Sequence, residues 1–393
     1  METLNQIENL VGQGKFDEAS ELLNNGEKFN KDYLKNNFTQ VAAKIIEARR
    51  TDFVKELIKG GFIETDIYEL DKFDDSIFNP LSRYLKNDDE SVAFFKEVMS
   101  EMENINDEIN DQTLLGYLLS KGTAPLIIKS LIDDFSASAT FKNNAGENLI
   151  HLVLKTFGLK EEVVKEYISI LVDNGADINE KNIAGTTALI AAVQKNKKDL
   201  IEFLLENGAD PNETDNRNNT AFYYAVAKQF SPELYTALAT VCTPDFTILN
   251  NEGESLFTNF LNSISGSETE LTFLEKLLSD GADLNFATDY YGQPKSGLDY
   301  IAEKKADVLK TVLENASIEI NEQDNKGNTL LHKVCAYDVN YDANMAKETY
   351  KKVKLLLDHG ADISITNDKD QTALMLASED NLKIKTVELL MKQ

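Results

Sequence analysis

The sequence predicts an all-α solenoid of stacked helix-turn-helix-hairpin units, and three observations predict it. A glycine-centred helix exit recurs in Asn174-Gly-Ala-Asp-Ile-Asn179, Asn207-Gly-Ala-Asp-Pro-Asn212, Asp280-Gly-Ala-Asp-Leu-Asn285 and His359-Gly-Ala-Asp-Ile-Ser364. A turn-to-helix start recurs in Gly146-Glu-Asn-Leu-Ile-His151, Gly185-Thr-Thr-Ala-Leu-Ile190, Asn218-Asn-Thr-Ala-Phe-Tyr223, Gly253-Glu-Ser-Leu-Phe-Thr258, Gly327-Asn-Thr-Leu-Leu-His332 and Asp370-Gln-Thr-Ala-Leu-Met375. Leucine-rich stretches such as Phe203-Leu-Leu205 and Leu355-Leu-Leu357 precede the exits. Self-similarity of this kind marks an array whose units bury their apolar faces against one another.

At the amino terminus, Leu4, Ile7, Leu10 and Val11, then Gly12-Gln-Gly14, then Phe16, Ala19, Leu22 and Leu23 predict a short helical hairpin that caps the array. Helix starts then follow at Thr39, Asn79, Thr113, Asn148, Thr187, Thr220, Ser255, Ser296, Thr329 and Thr372, where a hydroxyl or amide can accept from the first-turn N–H groups. Each Gly of Gly-Ala-Asp is placed to end a helix in the left-handed conformation. Residues 1–110 keep the helix-pair rhythm without Gly-Ala-Asp. They are read as divergent helical hairpins, the amino-terminal cap region of the array, with a separate small helical domain as the other reading; residues 111–393 are the repeats proper. From the Thr position to the helix-ending Gly a unit needs 21 residues, as in Thr187 to Gly208, whereas Asn148, Ser255 and Thr329 need 27, 26 and 31. The extra residues fall between the two helices, around Phe157–Lys160, Ile264–Ser267 and Tyr337–Asp342, as a loop, a lengthened helix or a partner contact.

Together the two recurrences resemble the ankyrin repeat, G-x-T-P-L-H-x-A followed by L-L-x-x-G-A-D-x-N in a unit of about 33 residues. The proline of T-P-L-H is replaced by Ala or Leu almost everywhere and survives in Asn79-Pro-Leu-Ser82. The resemblance implies that His151 and His332 hydrogen-bond to a neighbouring hairpin and that Cys335 fills a small buried position. It also implies a protein–protein interaction module with no cofactor.

Composition narrows the partner. The 393 residues carry 40 Lys+Arg against 67 Asp+Glu, a net charge of −27. That field repels phosphate backbones and anionic lipid and favours a basic protein, so nucleic acid and membrane are not expected partners. Two cysteines, Cys242 and Cys335, make no disulfide framework. Nothing approaches the ~18 consecutive apolar residues of a membrane span, and the first residues lack a signal peptide's basic start and apolar core. A cytoplasmic location is expected, with secretion by a signal-independent route left open.

No chemistry stands out. There are three histidines, Gly12-Gln-Gly14 lacks the preceding strand of a phosphate loop, and the acidic run Asn87–Glu90 lacks the alternating ligands of a calcium loop. No catalytic, cofactor or metal residues are assigned. What remains is a surface: solenoids recognise partners through hairpin tips and inner helices, along an extended concave face. The partner-binding candidates are therefore Arg217, Asn219, Glu252, Tyr290, Tyr291, Lys295 and Tyr337, with Tyr and Arg favoured because they carry interface energy. Tyr223 and Tyr224 take the His position and its neighbour, which suits packing between units. The expected function is noncovalent binding of a basic protein partner. A regulatory or inhibitory subunit, including a host-directed bacterial effector, is the first alternative. An enzyme with a site in residues 1–110 is the second, although that segment contains no His and no Cys.

Overall fold

Each repeat begins where a polar side chain takes up a free N–H of the first helical turn. Asn148 Oδ1 accepts from His151 N at 3.1 Å, Thr187 Oγ1 from Ile190 N at 3.2 Å, Thr220 Oγ1 from Tyr223 N at 3.0 Å and Ser255 Oγ from Thr258 N at 3.1 Å. Thr113, Thr329 and Thr372 do the same. At the other end of the repeat, Gly175, Gly208, Gly281 and Gly360 have φ between 86° and 103°, the left-handed exit expected of them. The computed structural model describes residues 6–290 and 292–393; Leu4 and Tyr291 lie outside them.

Eleven pairs of helices are present among the described residues, with one two-stranded sheet. The chain divides into two compact units, residues 1–192 with 199–210, and residues 193–198 with 211–393. In the first, the pairs are Gln6–Gly12 with Phe16–Asn24, Lys31–Glu47 with Thr51–Lys59, Phe78–Tyr84 with Asp89–Met99, Leu114–Lys121 with Pro125–Phe135, Leu149–Lys155 with Glu161–Asp173, and most of Ala188–Gln194 with Lys198–Glu206. In the second, Ala221–Tyr223 runs through a π turn at Tyr224–Lys228 before Pro232–Leu238. Four pairs follow: Leu256–Ser263 with Glu268–Ser279, Gly297–Glu303 with Ala306–Asn315, Leu330–Ala336 with Ala343–Asp358, and Ala373–Ser378 with Ile384–Leu390.

Two expected helix starts are corrected. Thr39 lies inside one continuous helix, Lys31–Glu47, capped at Asn30, whose Oδ1 accepts from Asp32 N and Tyr33 N. Asn79 lies inside Phe78–Tyr84, whose N-cap is Ile77; Ser76, just before it, accepts at Oγ from Phe78 N at 3.2 Å. In both cases a better-placed polar residue upstream reaches the free N–H groups first.

The extra residues of the long units go chiefly into the second helix. Glu161–Asp173, Glu268–Ser279 and Ala343–Asp358 have 13, 12 and 16 residues where Lys198–Glu206 has 9. A further residue before Pro232 is absorbed as the π turn, as single insertions into helices commonly are.

Neighbouring repeats are tied by three recurring bonds. The tips are Asx turns: Asn143, Asn182, Asp215, Asn250, Asp324 and Asn367 each accept at Oδ1 from the N–H two residues on. Successive tips are stitched through the backbone, Ile183 N to Ala145 O, Asn251 N to Arg217 O and Asp368 N to Lys326 O, at 2.9 to 3.1 Å. Below the tips an asparagine clamps the next helix exit: Asn179 donates to Gly208 O at 3.0 Å and accepts from Asp210 N at 2.8 Å. Asn106, Asn212 and Asn321 repeat the pattern on the loops that follow them.

The third bond caps four of the inner helices from the following repeat. In the second unit Gln229 Nε2 donates to Val193 O at 2.6 Å, Lys304 Nζ to Asn262 O at 2.7 Å, Lys352 Nζ to Ala302 O, and Lys383 Nζ to Cys335 O at 2.9 Å. Carbonyls at a helix C-terminus lack internal partners and carry partial negative charge, so an ammonium there is doubly suited. Lys352 is fully buried and Lys383 nearly so.

Candidate functional site

The widest departure from a regular repeat lies at the tip between Gly281 and Ser296, three residues longer than the twelve-residue spacing from Gly208 to Thr220. The added chain forms an antiparallel hairpin, Ala287–Tyr290 with Gln293–Ser296, paired Ala287 to Ser296 and Tyr290 to Gln293. It turns at Gly292, φ 78°, whose N–H donates to Asp289 Oδ1 at 2.8 Å. Beside it, the inner helices Gly297–Glu303 and Leu330–Ala336 and the tip Glu322–Asn328 enclose a cavity of about 520 Å³. Asp299, Glu303, Glu322 and Asp324 line it, with Tyr337 and Lys333.

Lys333 organises the site. Its Nζ donates to Asp299 Oδ1 at 2.5 Å and Asp324 Oδ2 at 2.6 Å, joining the inner helix of one repeat to the tip of the next. Asp299 Oδ2 also accepts from Ser296 N and Oγ at 2.8 Å, so the cap at Ser296 comes from the aspartate three residues on. Asp324 Oδ1 accepts from Lys326 N and Asn328 N. Burial opposes the Lys333 ammonium, but the two carboxylates outweigh it and hold its pKa above the usual lysine value. Burial likewise pushes Asp324 up, and Lys333 with the two backbone N–H groups overcomes it, leaving its pKa low.

The sequence-derived candidates fall into separate places. Lys295 and Tyr337 are brought to this site. Lys295 Nζ pairs with Glu303 at 2.8 Å and sits 4.0 Å from the centroid of the Tyr300 ring. Tyr337, half-buried, lines the cavity and lies 5.6 Å from Lys352 Nζ. Arg217 and Glu252 are exposed on consecutive tips, joined by the bond from Asn251 N to Arg217 O. Asn219 is a correction: it is 4% exposed, not at the surface of its tip. Its N–H lies on Asp215 Oδ1 at 2.9 Å and its carbonyl accepts from Asp215 N, so it closes the turn and is unavailable to a partner. Tyr290 ends the first hairpin strand; Tyr291 is outside the described residues.

Asp299, Asp324 and Lys333 were missed by sequence reasoning. The available signal was a charge on an inner helix whose other positions are small or apolar, as at Lys333 directly after His332.

The residues read as structural are so placed. His151 Nε2 meets Thr186 O at 2.9 Å and His332 Nε2 meets Gln371 O at 3.1 Å, each reaching the following hairpin. Tyr223, in the same position, donates its hydroxyl to Glu254 Oε2 at 3.0 Å and accepts from Asn250 Nδ2. Tyr224 instead reaches Asp215 Oδ2 in its own tip at 2.6 Å. Cys335 is fully buried, and burial pushes its thiol up to about 12, so it holds no thiolate at neutral pH. Among the described residues no group of three His, Cys, Asp or Glu is disposed to hold a metal ion, and no helix is long and apolar enough to cross a membrane.

The family model described as ankyrin repeats (3 copies) matches residues 150–247 and 298–393. Among solved structures the chain is similar to the ankyrin repeat domain of Bcl-3, a member of the IkappaB protein family, at 21% identity and a TM-score of 0.49, covering 64% of this chain and 100% of that one. A search of curated proteins gave no match. Ankyrin repeats are protein–protein interaction modules, and residues 150–247 and 298–393 of this chain belong to the ankyrin repeat family.

Proposed function

We propose that this chain is a noncovalent scaffold that holds a basic protein partner on the inner-helix face of residues 211–393, the concave side of a stacked array. The observation that carries the reading is the cavity beside the 287–296 hairpin. Its wall carries four carboxylates, Asp299, Glu303, Glu322 and Asp324, together with Lys333 and Tyr337, so it offers an acidic surface with an aromatic anchor. Arg217 and Glu252 extend the surface along the tips. Residues 1–110 serve as the divergent cap region, and no reaction is assigned to any part of the chain.

The test is affinity capture of the intact protein from its native lysate at low and high salt, with mass spectrometry of what elutes. A stoichiometric basic protein released by salt is expected. Calorimetry with that protein then compares the chain with Tyr337→Ala combined with Glu322→Lys. A loss of about tenfold or more is expected from one lost anchor and one reversed charge. Unchanged affinity in a folded double variant refutes the placement.

A further inference from the structure

The second unit carries another surface, on the side of the second helices. Ala343–Asp358 and Ile384–Leu390, with the turn before the latter, leave between them a groove of about 770 Å³. Its floor and walls are largely apolar, made by Ala346, Tyr350, Leu382 and Leu389. Its rim is basic: Lys347, Lys351, Lys385 and Lys392 face one glutamate, Glu388. Lys351 is paired with Glu348 at 2.6 Å and Lys385 with Glu388 at 2.8 Å, whereas Lys347 and Lys392 form no salt bridge among the described residues.

This is unusual in a chain with 67 acidic against 40 basic residues. Here two lysines without a salt bridge among the described residues flank one apolar trough, with Glu388 as the one carboxylate on its rim. Leu382 is 41% exposed, Ile384 58% and Met391 72%, so apolar surface continues past the rim. On the floor, the Thr386 hydroxyl is fully buried and has no hydrogen-bond partner. A buried hydroxyl without a partner is a cost that an incoming polar group can relieve.

We infer that this groove docks an acidic amphipathic helix of a partner protein, whose apolar residues at i, i+3 or i+4 and i+7 enter the trough while flanking Asp and Glu meet Lys347 and Lys392. A trough between two neighbouring helices accepts a third helix by ridge-into-groove packing, and helix-in-groove recognition uses this anchor spacing. Charge complementarity selects the occupant. A basic helix would set like charges against the rim, and an anionic membrane would have to accept the chain's net charge of −27.

The groove is separate from the inner-helix face, so the two readings fail separately. The full chain is used to select from a displayed library of helical peptides about 16 residues long, and fluorescence anisotropy measures the winners. Peptides with an apolar stripe flanked by carboxylates are expected. They lose affinity about tenfold or more on Lys347→Glu with Lys392→Glu, and similarly on Leu382→Lys, a residue exposed enough to leave the fold intact by circular dichroism. Winners without acidic bias, winners indifferent to these variants, or no winners overturn the proposal. Winners weakened only by Tyr337→Ala overturn it in favour of the inner-helix face. Dimerisation of the chain abolished by Lys347→Glu with Lys392→Glu makes a second copy the occupant, and binding to phosphatidylserine vesicles lost in the same variant makes it a membrane; either overturns the proposal.

Discussion

Replacing Lys352 with Met removes a contribution to stability that grows with alkaline pH. Lys352 is 0% exposed, and its ammonium caps the Ala302 carbonyl. Burial pushes its pKa down from 10.5 to about 8, against the pull of Glu348 and Glu303 and helped by Lys383. Below pH 8 the group is charged in both folded and unfolded chains, and the folded state bears the desolvation cost. Between pH 8 and 10.5 the folded chain releases the proton while the unfolded chain keeps it, so this residue's contribution to stability rises with pH. At about 1.4 kcal/mol per pH unit, the window from about 8 to 10.5 amounts to roughly 3 kcal/mol. The assay is urea unfolding by circular dichroism at pH 7, 8.5, 9.5 and 10.5 for the chain and for Lys352→Met. Taking the difference removes the titration of groups common to both. The chain is expected to gain about 3 kcal/mol on the variant between pH 7 and 10.5. A difference that stays level, or falls, refutes the reasoning.

Two further expectations concern the bonds between repeats. Asn179→Ala removes both bonds of the clamp on Gly208 O and Asp210 N and is expected to cost about 1–2 kcal/mol, read as a lower urea midpoint with circular dichroism otherwise unchanged. Lys333→Met leaves Asp299 and Asp324 without their shared cation, at an expected cost of about 2 kcal/mol at pH 7. Because Asp324 is held below its usual pKa, that deficit should shrink as pH falls through the ordinary carboxylate range and Asp324 protonates; a deficit constant down to pH 3 would count against the ion-pair account.

Helix starts and exits were legible wherever the cause is local. A Thr, Ser or Asn before an apolar run and a Gly after one act within a turn of themselves, and from Thr113 onward they mark the observed boundaries. Asn79 and Thr39 misled because a residue can resemble a cap while another, Ser76 or Asn30, stands closer to the free N–H groups. The 287–296 hairpin was hidden because three added residues have no pattern of their own. At the candidate site, the exposed tip positions of Arg217 and Glu252 followed from register, but Asn219 did not. One residue separates a turn's solvent side from the side that closes it. The Asp299–Lys333–Asp324 bridge joins Lys333 to residues 34 and 9 positions earlier along the chain, and that meeting depends on how repeats stack. The lysines that cap inner helices are farther still from what they bind, and their hydrophilic character in the sequence argues against burial.

Those caps give assembly of the chain a direction in time. The carbonyls of Val193, Asn262, Ala302 and Cys335 are satisfied by side chains made 36, 42, 50 and 48 residues later. At roughly 5–20 residues per second of synthesis, each inner helix waits about 2–10 s on the ribosome for the residue that closes its end. The repeats that hold these four carbonyls are thus completed by their successors, and a pause in translation within such a successor leaves the helix before it open to water or to a chaperone.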